Sequence, residues 1–132
     1  MKVNKILIVL GEPQSTFSEI LLKYFTSKEF SKNKKKIILI GSKILFQKQM
    51  RKLKFNFKLK TINHLKEATF KELNILNVNY NNKKIFSKIS SDSKKYISNC
   101  FKTALDLIKN NKKILLINGP VSKKYFLNKK YL

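Results

Sequence analysis

Lys5-Ile6-Leu7-Ile8-Val9-Leu10, stopped by Gly11-Glu12-Pro13, is the stretch that decides the fold. An almost unbroken apolar run of this length, closed by a turn, reads as a strand covered on both faces, the type found in parallel sheets. Thr16 and Glu19 then have the spacing of a helix-capping box, and Phe17, Ile20, Leu21, Tyr24 and Phe25 follow at helical intervals, so a first helix is expected over Thr16 to Ser27. Lys36 to Ile40 (KIILI) repeats the strand, Gly41-Ser42 ends it, and Ile44, Leu45, Gln47, Lys48 and Met50 outline a second helix. Strand, helix, strand, helix within fifty residues predicts an α/β fold built on a mostly parallel sheet.

Outward from this core the pattern thins and then returns. Phe55 to Ile62 alternates apolar and basic residues and predicts a strand with one wet face; Leu73 to Val78 predicts another, and Asn79 to Lys84 is polar enough for a loop. From Ser93, the residues Ile97, Cys100, Phe101, Ala104, Leu105 and Ile108 mark one face of a helix ended by Asn110-Asn111. Lys113 to Ile117 (KILLI) is a third buried strand by the same rule, Asn118-Gly119-Pro120 turns out of it, and a last helical turn is expected around Ser122 to Leu127.

Composition narrows the function classes. The chain has 132 residues, 42% of them hydrophobic, and it carries 15 isoleucines, enough to build a core despite a net charge of +23. That charge suggests a nucleic-acid binder, but 29 of the 30 basic residues are lysine and only Arg51 is arginine, the residue that nucleic-acid sites favour for its planar fork. Lys, Asn and Ile are enriched together. They share A- and T-rich codons, so a base-composition bias with lysine filling solvent positions explains the charge more simply, and the run Lys34-Lys35-Lys36 reads as a solvated loop. No apolar run approaches the roughly 18 residues of a membrane span, and Ile6 to Leu10 is too short for a secretory leader, so the cytoplasm is the expected compartment. The lone Cys100 excludes an internal disulfide, and the lone His64 excludes a histidine-rich metal site within these residues.

The candidate ligand-binding residues stand at two strand ends: Gly11, Glu12 and Pro13 after the first strand, and Asn118, Gly119 and Pro120 after the last. Open parallel sheets bind ligands outside the carboxyl ends of their strands, where glycine permits close approach and proline fixes the turn. Both turns read equally well as plain helix entries. Glu12 is one of only 7 acidic residues, placed where a ligand hydroxyl or amine would be held. Lys123 places an ammonium within reach of a phosphate, although solvent is the commoner fate of a lysine in so basic a chain. No dinucleotide or P-loop glycine pattern is present, His64 reads as exposed or structural, and Cys100 as an inert core thiol.

Ile6 to Leu22, Lys36 to Phe46, Ser93 to Ile108 and Ile114 to Leu132 together resemble the N-terminal part of the 4-hydroxythreonine-4-phosphate dehydrogenase family of pyridoxal phosphate biosynthesis. Gly11, Glu12, Pro13 and Glu19 match the family's first motif; Asn118, Gly119, Pro120, Val121 and Lys123 match its second. The resemblance implies a three-layer α/β/α architecture like that of isocitrate and isopropylmalate dehydrogenases. It also implies NAD and a divalent metal as cofactors, a phosphorylated small-molecule substrate and a homodimer, with no membrane and no specific nucleic-acid partner. Ser15, Thr16, Phe17 and Ser18 replace the glycine-containing segment that the family usually has after its first turn. The family's Gly-His-Thr-Glu segment, metal-binding histidines and phosphate-binding residues come after the position of Leu132, so residues 1–132 are expected to be one N-terminal portion, without an internal boundary, of a larger two-domain enzyme, incomplete at its C-terminus and inactive alone. Neither cofactor is expected to bind these residues alone. On that reading Phe126, Leu127, Tyr131 and Leu132 lack their packing partners, and a marginal fold with an exposed apolar patch is expected there. The rival reading is a small basic nucleic-acid-binding or scaffold protein using Tyr80 or Tyr125 as a stacking platform.

Overall fold

A computed structural model describes residues 3–13, 16–80, 91–109, 111 and 113–120. Its strands are β1 (Lys5–Val9), β2 (Lys36–Gly41), β3 (Leu59–Thr61), β4 (Leu73–Asn77) and β5 (Ile114–Asn118), and its helices are α1 (Phe17–Phe25), α2 (Lys28–Lys32), α3 (Lys43–Lys52) and α4 (Ser91–Ile108). All strand pairs are parallel, in the order β3-β4-β2-β1-β5. β1 is held on both sides, with Lys5 to Val9 in register with Lys36 to Ile40 of β2 and with Ile114 to Asn118 of β5.

Because side chains alternate along a strand, β1 and β2 feed two separate cores. Ile8, Leu10, Ile37 and Leu39 pack with Leu21, Leu22 and Phe25 of α1 and Phe46 and Met50 of α3. Leu7, Val9, Ile38 and Ile40 pack on the other face with Tyr96, Ile97, Cys100 and Ala104 of α4. The result is the expected α/β/α sandwich. Among the described residues no helix is long and apolar enough to cross a membrane.

Several local expectations are corrected. Only Leu59–Thr61 of the segment from Phe55 to Ile62 is a strand. The cause lies upstream: α3 ends with Lys54 at φ 64°, the Phe55 N–H bonds to Met50 O and the Lys54 N–H to Arg51 O, the two bonds of a Schellman motif. Phe55 thus belongs to the helix exit, and the Phe57 N–H turns to Met50 Sδ. Thr16 makes no capping bond, because its φ and ψ of −82° and 6° are not extended; Glu19 pairs with Lys23 at 3.4 Å instead. Beyond α1 the sequence reading missed α2, capped by Ser27 Oγ accepting from the Phe30 N–H.

β5 is not covered on both faces. Among the described residues it is the outermost strand on its side, with Leu115 46% and Ile117 41% exposed while Ile114 and Leu116 are half-buried toward α4. Leu105 is also exposed, since one residue beyond the buried Ala104 turns a side chain about 100° around the helix. The loop from Asn79 is described only to Tyr80. The helical turn from Ser122 to Leu127 and the patch at Phe126, Leu127, Tyr131 and Leu132 lie outside the described residues, as do Ser15, Val121, Lys123 and Tyr125.

Asn74 is fully buried in β4 and joins three segments. Its Nδ2 donates to Ile37 O and Thr69 O, both at 2.9 Å, and its Oδ1 accepts from the Thr69 N–H at 3.1 Å. Asn74→Leu keeps the branched shape but strands these backbone groups without partners, which should cost about 1–3 kcal/mol. Urea unfolding of the variant beside the parent measures this as a lowered midpoint at unchanged slope.

Candidate functional site

The strand order reverses between β1 and β5. β1 crosses to β2 through α1 on one face, while β5 is reached from β4 through α4 on the other. Such a reversal opens a crevice at the carboxyl ends of the two strands. Both sequence-predicted turns are there, and they touch.

Their contact is made by backbone. Gly119 N–H donates to Val9 O at 2.7 Å and the Glu12 N–H donates to Pro120 O at 3.0 Å, while Leu10 N–H continues the β1–β2 ladder by donating to Ile40 O at 3.1 Å. Gly11 has φ +80°, and a Cβ there would lie 2.8 Å from the carbonyl carbon of Gly119. A Cβ on Gly119 would lie 2.6 Å from both Leu10 O and the Phe17 ring. The glycines are therefore required by each other's loop, and the space above Gly11 is filled by protein. Asn118 Nδ2 closes the second turn by donating to Gly119 O at 3.0 Å.

Glu12 and Pro13 are buried beneath this contact. Ser18 Oγ donates to Gln49 Oε1 at 2.7 Å, and Gln49 Nε2 donates to Pro13 O at 3.0 Å, so a buried polar link joins the first turn to α1 and α3. Leu10, Glu12, Pro13, Ser18, Gln49 and Tyr96 are among the walls of a cavity of about 10 Å³, at the lower limit for one water. Glu12 therefore stands in the wall of a recess too small to take a substrate. The sequence reading had missed Ser18 and Gln49 as parts of this site. Gln49 carried a signal: it is the polar residue beside Leu45, Phe46 and Met50 on the buried side of α3.

Tyr96 was missed as well. Its hydroxyl oxygen accepts from the Ser42 N–H at 2.7 Å while Ser42 Oγ caps α3 by accepting from the Leu45 N–H at 3.1 Å. A Cβ on Gly41 would lie 2.7 Å from that hydroxyl, which is why β2 ends in glycine. Burial raises the Tyr96 hydroxyl well above its ordinary 10.0, helped by Cys100 beside it. Burial likewise pushes the Cys100 thiol from 9.0 up to about 12, against the opposing effect of its hydrogen bond with Tyr96. Cys100 is thus a core thiol, as its place on the apolar face suggested. Tyr80 stacks on Tyr96 with ring centres 4.6 Å apart, so it is not an exposed platform. His64 is exposed ahead of a short helical turn, and among the described residues no three His, Cys, Asp or Glu side chains gather as a metal would require.

The family model for the pyridoxal phosphate biosynthetic protein PdxA matches residues 33–131. The chain belongs to this family. Its fold is that of solved PdxA-family enzymes. A 4-hydroxythreonine-4-phosphate dehydrogenase from Burkholderia phymatum superposes with a TM-score of 0.80 at 15% identity over 94% of this chain. A putative one from Salmonella typhimurium gives 0.77 at 17% over 92%, and one from Klebsiella pneumoniae 0.76 at 15% over 92%. The chain spans 38% of the length of each of these three PdxA-family chains. No curated protein matches its sequence.

Two measurements check the site's energetics. Gly119→Ala must displace Leu10 or open the paired turns, and should destabilise by about 1–3 kcal/mol, the usual cost of overpacking; a chemical denaturation curve reads this directly. The second concerns pH. A thiol that ionises near 9.0 when unfolded and near 12 when folded favours the folded state fully below pH 9. That advantage is lost as pH climbs from 9 to 12, because the unfolded chain releases its proton first. Urea midpoints should fall over this window, and Cys100→Ala should make the fall shallower while Tyr96 still contributes.

Proposed function

We propose that these residues work as part of a 4-hydroxythreonine-4-phosphate dehydrogenase of pyridoxal phosphate biosynthesis. In that reaction the substrate hydroxyl is oxidised by hydride transfer to NAD, and the product then loses carbon dioxide. The observation that carries the reading is the family match over residues 33–131, which includes β2, α4 and the second strand-end turn.

The role of this portion follows from its geometry. Bonds through Gly119, Glu12 and Pro120 fix the two turns against each other, and Gln49 and Ser18 hold the first turn from below. They form a stiff floor at the β1/β5 crevice, on which Glu12 and Asn118 have fixed places and from which Lys123 follows three residues after Pro120. Preorganisation of this kind lets binding groups act without first being ordered. In this reading Lys123 adds an ammonium to a phosphate site whose other residues lie outside these 132.

The donor set does not fit a histidine-held divalent metal: the chain has one histidine, and it is exposed. In the proposal that metal, and the groups surrounding NAD, are held by residues outside these 132, in a cytoplasmic homodimer. The single buried thiol Cys100 is compatible with a reducing compartment.

Complementation tests the reading. In a bacterium lacking this dehydrogenase, the coding sequence expressed with its natural flanking sequence should restore growth without added pyridoxine, and residues 1–132 alone should not. Failure of the first with the protein accumulating, or growth from the second, would overturn the corresponding part of the proposal.

A further inference from the structure

A second groove lies away from the strand-end turns. It lies at the opposite edge of the sheet, where β3 and β4 begin, and offers about 490 Å³ of half-open space, within the size range of small-molecule sites. Phe30 of α2 and Phe57 supply aromatic walls. Lys58, Lys60 and Lys71 supply three ammonium groups against the single carboxylate of Glu72.

These charges are not equivalent. Lys60 is already engaged, 3.8 Å from the Glu72 carboxylate and 3.4 Å from Thr69 Oγ1, and Thr69 Oγ1 in turn bonds Glu72. Lys58 and Lys71 are exposed, and neither makes an ion pair with another described residue. Lys71 also has φ +62°, a left-handed conformation that costs a lysine but not a glycine. The positive φ of Lys54 serves the exit of α3; Lys71 stands in the turn that leads into β4 and lines the groove.

We propose that this groove binds a nucleoside monophosphate. The phosphate dianion meets Lys58 and Lys71, the planar base lies against the wall made by Phe57 and Phe30, and Glu72, oriented by Lys60 and Thr69, accepts a hydrogen bond from a ribose hydroxyl. Lysines suit the phosphate as mobile point charges, and aromatic walls suit any base through its π-face. The site shares no residue with the β1/β5 turns, so it is independent of the dehydrogenase reading.

A chain of charge +23 attracts every polyanion, so the experiment must separate place from charge. Calorimetric titration of the full chain with AMP at physiological salt is compared across two double variants. Lys58→Glu with Lys71→Glu alters the groove; Lys102→Glu with Lys109→Glu alters exposed positions on and just after α4 by the same net charge. The proposal expects the first pair to weaken AMP about tenfold or more, on the scale of lost charge-assisted contacts, and the second to leave it within about twofold. Lys71→Gly, which relieves the left-handed strain, should weaken AMP while folding no worse than the parent, so loss of binding cannot be ascribed to unfolding. Adenosine and inorganic phosphate should each bind well below AMP. Equal weakening by both double variants, phosphate binding as tightly as AMP, or binding confined to a single-stranded oligonucleotide would each overturn the proposal.

Discussion

The structure depends on one close approach, in which the backbone after β5 lies directly on the backbone after β1. Gly119 reaches Leu10 and Phe17 at distances that admit no side chain, and Gly11 faces Gly119 in a conformation that only glycine adopts without strain. This contact extends the β1–β5 ladder past its last paired residues and fixes where both chains leave the sheet. Without it the turn into α1 and the turn after β5 would have no common reference. The glycine-proline turns are thus first a device for joining two loops, and any ligand meets a surface already set by that joint.

Beneath the joint, the fold accepts buried polar groups where an apolar core would be simpler. Ser18, Gln49, Asn74, Ser42 and the Tyr96 hydroxyl all hold backbone or loop atoms in place. Ser18, Gln49, Ser42 and Tyr96 occur where a strand end must be tied to a helix, and Asn74 ties β4 to β2 and to the loop at Thr69. A buried amide with its bonds made is directional in a way that leucine is not, so these residues specify loop geometry rather than add bulk stability.

The parts of the fold legible in the sequence were those in which burial alone dictates residue type. KILIVL, KIILI and the α4 stripe announced β1, β2 and α4 because two covered faces, or one covered stripe, leave few choices. Alternation misled at Phe55 and Phe57, where a helix exit supplied the same spacing as a strand. KILLI misled in another way: its residues are those of a covered strand, yet Leu115 and Ile117 are exposed at the sheet's edge. The two turns were legible as candidate site elements through Gly, Pro and their position. Their mutual contact was not, since residues more than a hundred positions apart carry no local sign of touching. Gln49 and Tyr96 were hidden for a related reason: a polar atom on an apolar face tells that it has a partner, not which one.

The two margins of the sheet differ in a way that governs how it can grow. β3 offers three residues, Lys60 among them, with Lys58 just before it, a short and charged border of the sort that discourages another strand from joining. β5 offers five residues with exposed leucine and isoleucine. Sheet extension is therefore directional in this molecule. Among the described residues, an added strand of the same polypeptide, or a mispaired strand from a neighbouring molecule during folding, finds its template on the β5 side. The lysine-rich composition moderates the second outcome, because like-charged chains repel before their edges can meet.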